Sequence, residues 1–232
     1  VSADNVRASG RSLAKAAHTN PTVFFDVVLH QVQSYDNLIE PVVDAAKYLT
    51  PLEYDVCSYA LLEALANPAR ARIKSDGTHA SLWLKSLASF AGAFFRKYAV
   101  MDCTPVLQYL VNQLQQGHGN DLIVLSELVL KMAGIEPVGE LSDAQTAALS
   151  GGPLLQGEAM LTLIAAPSPT AALLARNAFK KAGSRLHRTL VQSRLALALL
   201  VLMAQHRQRC VFETEAHIKS LSSAYDTVQS YP

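Results

Sequence analysis

The stretch NPTVFFDVVLHQVQSYDNLIEPVVDAAKYLTPLEYDVCSYALLEALANP runs from Asn20 to Pro68 and contains three capping residues that each precede proline: Asn20-Pro21, Thr50-Pro51 and Asn67-Pro68. The pattern returns at Thr104-Pro105 and Ser168-Pro169. A side-chain oxygen at the N-cap satisfies a free backbone N–H, and proline at the first helical position loses no hydrogen bond. All five pairs therefore predict helix starts. Thr50 with Glu53, and Ser142 with Gln145, add the spacing of a capping box.

Between these signals the apolar residues recur at helical spacing. Ile39, Val42, Val43, Ala46 and Leu49 line one side of a helix, and Trp83, Leu87, Phe90, Ala91, Phe94 and Tyr98 line another. Leu107, Leu110, Val111 and Leu114 form a third stripe, and Leu122, Leu125, Val129 and Met132 a fourth. The periodicity predicts helices over 22–34, 38–49, 51–66, 79–98, 105–116, 121–133, 154–165, 170–191, 193–208 and 213–229, with a short one over 143–149. Strand patterns are almost absent. The expectation is an all-α chain with short connections and antiparallel neighbours, stacked in pairs as a HEAT-like α-solenoid. It is read as one helical-repeat domain over 1–232. Lobes over 1–137 and 153–232, joined by 138–152, are the division that the weak segments Gly134–Gly152 and Ala166–Pro169 would permit.

Hydrophobic residues make up 50% of the 232-residue chain and charged residues 17%, a globular rather than a disordered composition. The chain begins at Val1 without an initiator methionine, which suggests a piece of a longer protein. Net charge is +1, yet the charges are unevenly placed. Six acids (Asp36, Glu40, Asp44, Glu53, Asp55 and Glu63) and one base lie between Tyr35 and Glu63. Eight bases and no acid lie between Ala159 and Phe212. Such asymmetry points to two different surfaces. Cys57, Cys103 and Cys210 stand far apart, which suggests a reducing compartment and neither a disulfide frame nor a zinc site. The most apolar run, LALALLVLMA from Leu195 to Ala204, is half the roughly 20 residues of a membrane span. It reads as a helix buried on most sides.

Asp36, Glu40 and Asp44 follow one another at spacings of four, which stacks three carboxylates on one side of a helix. Asp36 is placed to cap the helix, and Asp44 to pair with Lys47. None lies on the apolar stripe, and no Glu-x-x-His motif accompanies them, so they read as a solvated or partner-facing stripe rather than a metal site. The seven histidines are scattered, without an H-x-x-x-H pair. GHGND, Gly117 to Asp121, lacks the Gly-Lys-Ser/Thr of a phosphate loop and reads as a C-cap glycine followed by an N-cap at Asn120. Neither a catalytic set nor a cofactor site is indicated. Lys180, Lys181, Arg185 and Arg188 give one helix a basic side, opposite Phe179, Ala182, Leu186 and Leu190. That side fits RNA phosphates, an acidic protein or plain solvent. Trp83 and the doublets Phe24-Phe25 and Phe94-Phe95 read chiefly as core.

The Asn20–Pro68 stretch, with SLWLKSLASFAGAFFRKY (81–98), ELVLKMAGIEP (127–137) and LALALLVLMAQHRQ (195–208), resembles the large scaffold subunits, the second subunits, of nuclear THO complexes. The resemblance covers about Asn5 to Pro137, fades through Val138–Leu174 and returns in part at Leu195–Gln208. It implies a non-enzymatic, helical scaffold of THO within the larger TREX complex, in the nucleus, where transcription is coupled to messenger RNA packaging and export. It further implies a domain similar to the middle domain of translation-initiation scaffolds. The implied partners are other THO subunits and a DEAD-box RNA-dependent ATPase that the domain docks and stimulates; direct RNA contact through the basic helix is the alternative. No cofactor is implied.

Overall fold

A computed structural model of the chain describes residues 6–77, 79–134, 142–157 and 168–212, with 222 and 225. The described residues are helical throughout, apart from turns and one isolated bridge between Ile73 and Ala80. The helices are α1 Val6–Thr19, α2 Pro21–Ser34, α3 Ile39–Ala45, α4 Pro51–Ala66, α5 Leu82–Lys97, α6 Thr104–Gln115, α7 Leu122–Leu128, α8 Asp143–Leu149, α9 Pro169–Gln192 and α10 Leu195–Val211. A further helical turn covers 153–157. The rest of the expected helix 154–165, and the expected helix 213–229, lie outside the described residues, as does the side chain of Gln145.

Local chemistry explains most of the boundaries. Asn20 accepts from the Val23 N–H, and Ser168 from the Ala171 N–H, each with proline next in line. Glu53 reaches back to the Thr50 N–H. Two proline pairs act differently. Asn67-Pro68 ends α4 instead of starting a helix, because the Asn67 side chain accepts from the Ala69 N–H and holds a turn. Thr104 is itself helical, and its N–H is taken by Asp102, two residues earlier. The α7 start is one residue later than expected, with Asp121 rather than Asn120 at the N-cap.

Other differences have equally physical causes. α1 carries few large apolar residues, yet Ala17 is fully buried and Gly10 lets the helix close on Tyr48, whose ring lies 3.0 Å from where a Cβ would stand. The expected helix 38–49 is broken into a 3-10 turn at Asp36–Leu38, α3, and a second 3-10 turn at Ala46–Tyr48. α7 passes into a π-helical turn, Val129–Ala133, and ends at left-handed Gly134.

The packing alternates. α1 lies on α3, α2 on α4, α3 on α5, and α5 most extensively on α7. From α1 to α5 a helix thus packs chiefly on the next but one, and α2 packs nearly as extensively on α5, while immediate neighbours touch less. α9 lies on the π-turn and touches α5, and α10 lies on α6. α5 is the central helix. Leu84, Leu87, Phe90, Ala91, Phe94 and Phe95 are all buried, so both rings of the Phe94-Phe95 doublet find partners. Gly92 permits this closeness, since a Cβ there would stand 2.6 Å from the Glu127 carbonyl oxygen. Trp83 is only half-buried, and its indole N–H donates to the Ala71 carbonyl at 3.0 Å.

α10 departs from the expectation of burial on most sides. Leu195, Leu199 and Met203 face α6 and are buried, whereas Leu197 is 68% exposed and Leu200 and Val201 are also exposed. One face suffices because the helix meets the stack from one side only. Among the described residues no single helix is long and apolar enough to cross a membrane; α9 and α10 together meet the length but are bent by 83°.

Candidate interaction surfaces

Asp36, Glu40 and Asp44 are all exposed, as their positions off the apolar stripe require. Their local roles differ from the expected ones. Asp36 sits in the first 3-10 turn, where the cap position is Tyr35 and no side chain caps the helix. Asp44 pairs with Lys97 of α5 rather than with Lys47. The break into 3-10 turns moves Lys47 to the Tyr48 ring, 5.0 Å from its centroid. Tyr98 donates to the Val43 carbonyl beside this pair, so Asp44 helps fasten α3 to α5. Asp36 and Glu40 are left as the open carboxylates of the stripe.

A second acidic face, not singled out in the sequence, runs along α4. Leu52, Asp55, Tyr59 and Glu63 fall on one side at spacings of three and four and are all exposed, Tyr59 to 62%. α2 packs beside α4 and exposes Asp26 and Val27. Two carboxylates alternating with a phenol ring and a leucine make a surface suited to a basic, partly apolar partner.

The basic side of α9 is divided. Lys180, Lys181 and Arg188 are exposed. Arg185 is half-buried, and its guanidinium donates to the Phe95 carbonyl. It ties α9 to α5 at a carbonyl near the C-terminus of α5, where a cation also suits the helix dipole. Phe179 packs inward against Gly134 and lies under Arg96, 4.4 Å from guanidinium to ring centroid. Three of the four bases thus form the outward surface and the fourth anchors the helix.

A buried polar network went unnoticed in the sequence. Asp121 is fully buried at the start of α7; it accepts from Arg72 Nε at 2.8 Å and from the Tyr109 hydroxyl at 2.6 Å. Arg72 also donates to the Leu65 carbonyl at 3.0 Å. Burial pushes the Tyr109 phenol well above its usual range, and its hydrogen bond to Asp121 adds to the shift. The network links the loop before α5 with α4, α6 and α7. Both carboxylate oxygens of Asp121 accept hydrogen bonds, so the network reads as a fastening rather than a reactive centre.

Reactive groups are correspondingly scarce. Burial raises the Cys103 thiol to about 11 and the Cys57 thiol further, so neither is a thiolate near neutrality. Among the described residues no three His, Cys, Asp or Glu side chains gather as a metal site. A cavity of about 220 Å3 between α1, α2 and α3 is lined by apolar groups such as Leu13, Phe24, Phe25, Val28, Val42 and Leu49. It offers volume but no convergent polar chemistry.

Comparison with known proteins places this helical stack. The family described as Thoc2, transcription- and export-related complex subunit, matches residues 13–88. THO complex subunit 2 of Homo sapiens is 47% identical over 226 residues, covering 96% of this chain and 13% of that protein. The Arabidopsis thaliana protein of the same name is 39% identical over 229 residues, covering 96% of this chain and 12% of its own length. The Saccharomyces cerevisiae one is 29% identical over 157 residues, covering 67% of this chain and 10% of its own. The chain therefore spans only about an eighth of the length of the human relative. With nearly all of its residues aligned to relatives from animals and plants, the chain belongs to the THO complex subunit 2 family.

Proposed function

We propose that this chain is a non-enzymatic scaffold segment of a nuclear THO complex, which couples transcription to messenger RNA packaging and export. In this reading it contributes to assembly with other THO subunits. It also docks a DEAD-box RNA-dependent ATPase and stimulates it by holding the two ATPase lobes at a productive spacing, a bias in a two-state equilibrium. The observation that carries the reading is the pair of open acidic faces, Asp36 and Glu40 on and beside α3 and Asp55 and Glu63 on α4, displayed by a fastened helical stack. In this reading the helical stack is an α-solenoid, a form that suits the role because stacked helix pairs present long, rigid surfaces. The test is pull-down of the cognate export ATPase with this chain, followed by ATPase rates with and without it. Binding with a raised rate supports the reading; no binding in any nucleotide state overturns it.

A second reading, direct RNA binding along α9, is favoured by one observation: Lys180, Lys181 and Arg188 are exposed on a helix that carries no acid. It predicts a steep salt dependence of RNA affinity that falls when Lys181 and Arg188 become Glu. Unaltered affinity in that variant removes this reading and leaves the ATPase reading untouched.

A further inference from the structure

The loop between α6 and α7 and the last turns of α10 bring three basic side chains together. Gly117 and Gly119 flank His118 in the loop. The ring of His206 lies against Gly119, where a Cβ would stand 2.3 Å from its Nε2. The guanidinium of Arg209 lies against Gly117, where a Cβ would stand 2.9 Å from Nη1. Two glycines therefore make room for two basic groups from another helix, one on each side of a histidine. Gly117 has φ +84°, so its conformation also favours glycine; Gly119 has no such need, and the space for His206 is its evident use.

Within the described residues these groups lack an acidic partner. Among the described residues no carboxylate pairs with Arg209 or His206. α6, α9 and α10 contain no Asp or Glu, and the nearby Asp121 is buried and occupied by Arg72 and Tyr109. Among the described residues the His118 ring meets the Gln113 side-chain oxygen, at 3.1 Å. Gathering like charges without a counter-charge costs free energy, which a bound anion returns. The cost is visible at His206: burial, then Arg209 and His118, lower its proton affinity below the ordinary histidine value. The loop amides do not supply the site, since the Gly117 and His118 N–H groups donate to carbonyls of α6.

We propose that His118, His206 and Arg209 form a phosphate-binding corner that grips the backbone of single-stranded RNA. A polyanion is favoured over an isolated phosphate group because two of the three groups, His206 and Arg209, belong to a segment, 159–212, that carries eight bases and no acid. The corner is a site separate from the exposed bases of α9 and independent of ATPase docking.

The test is fluorescence anisotropy of a labelled oligouridine of about twelve nucleotides on the 232-residue chain in phosphate-free buffer. The doubly substituted chain, His206→Gln with Arg209→Gln, should bind about tenfold or more weakly, with a salt slope shallower by about one. RNA affinity of the unsubstituted chain should rise as pH falls from about 7.5 to about 5.5, because protonation of His206 adds positive charge beside Arg209, and the double variant should lose most of that rise. Arg209→Gln and His118→Gln alone, both at exposed side chains, repeat the comparison without touching the half-buried ring. Lys181→Gln with Arg188→Gln should keep the pH dependence, which separates this corner from α9. The proposal is overturned if RNA affinity, salt slope and pH dependence are unchanged in the corner variants. It is equally overturned if a phosphoserine peptide binds the corner and RNA does not.

Discussion

At the scale of single residues, stability is concentrated in a few buried polar contacts. Asp121 holds Arg72 and Tyr109, and removing it strands a half-enclosed guanidinium and a phenol. Asp121→Ala should cost about 3–5 kcal/mol in urea unfolding, since it leaves buried partners uncompensated. Tyr109→Phe should cost about 1.5–3 kcal/mol, the range for a hydrogen bond to a charged group, since it removes the hydroxyl that donates to the buried Asp121 carboxylate. His206 gives the fold a pH dependence of definite sign. Its folded-state proton affinity lies below the ordinary value, so the unfolded chain takes up the proton more readily. Its contribution is therefore present above about pH 6.5 and is lost as pH falls below it. The thermal midpoint in phosphate-free buffer should drop on acidification, and drop less in His206→Gln; equal drops would contradict this assignment.

At the scale of elements, the contacts between helices explain what local spacing conveys and what it misses. Helices α2, α4, α9 and the body of α5 are legible because each has a proline-marked start or a long apolar stripe. α1 is not, because glycine and alanine provide its close contacts and such residues leave little trace in an apolar pattern. The division of 38–49 is not either, since the folded partners of that segment, Lys97 and Tyr98, lie far along the chain. Arg185 shows the same limit: spacing places it with Lys181 and Arg188, and only the fold reveals the Phe95 carbonyl that draws it inward. Arg185→Ala should destabilise the chain by about 1.5–3 kcal/mol, the range for a hydrogen bond from a charged group, whereas Lys181→Ala should change it by less than about 0.5 kcal/mol. Gly92→Ala forces a methyl group towards the Glu127 carbonyl and should cost about 1–3 kcal/mol through separation of α5 from α7.

At the scale of the whole molecule, the chain is a helical stack with chemically distinct surfaces. Acidic side chains stand open on and beside α3 and along α4, and bases stand open on α9 and at the α6–α7 corner. The uneven charge distribution was visible in the sequence; the α4 face and the corner required the fold, because each is assembled by exposure or by contact between distant segments. Charge reversal at Asp36 and Glu40 should weaken partner docking without lowering the melting temperature, since neither carboxylate is paired with a base among the described residues. The most direct test of the scaffold reading is carbodiimide crosslinking of this chain to the export ATPase, which joins carboxylates to lysines in contact, followed by mapping of the joined residues. The predicted result is crosslinks from Asp36, Glu40, Asp55 or Glu63 to lysines of the ATPase, in at least one nucleotide state. A complex that forms without any of these four, or no complex in any nucleotide state, would contradict it.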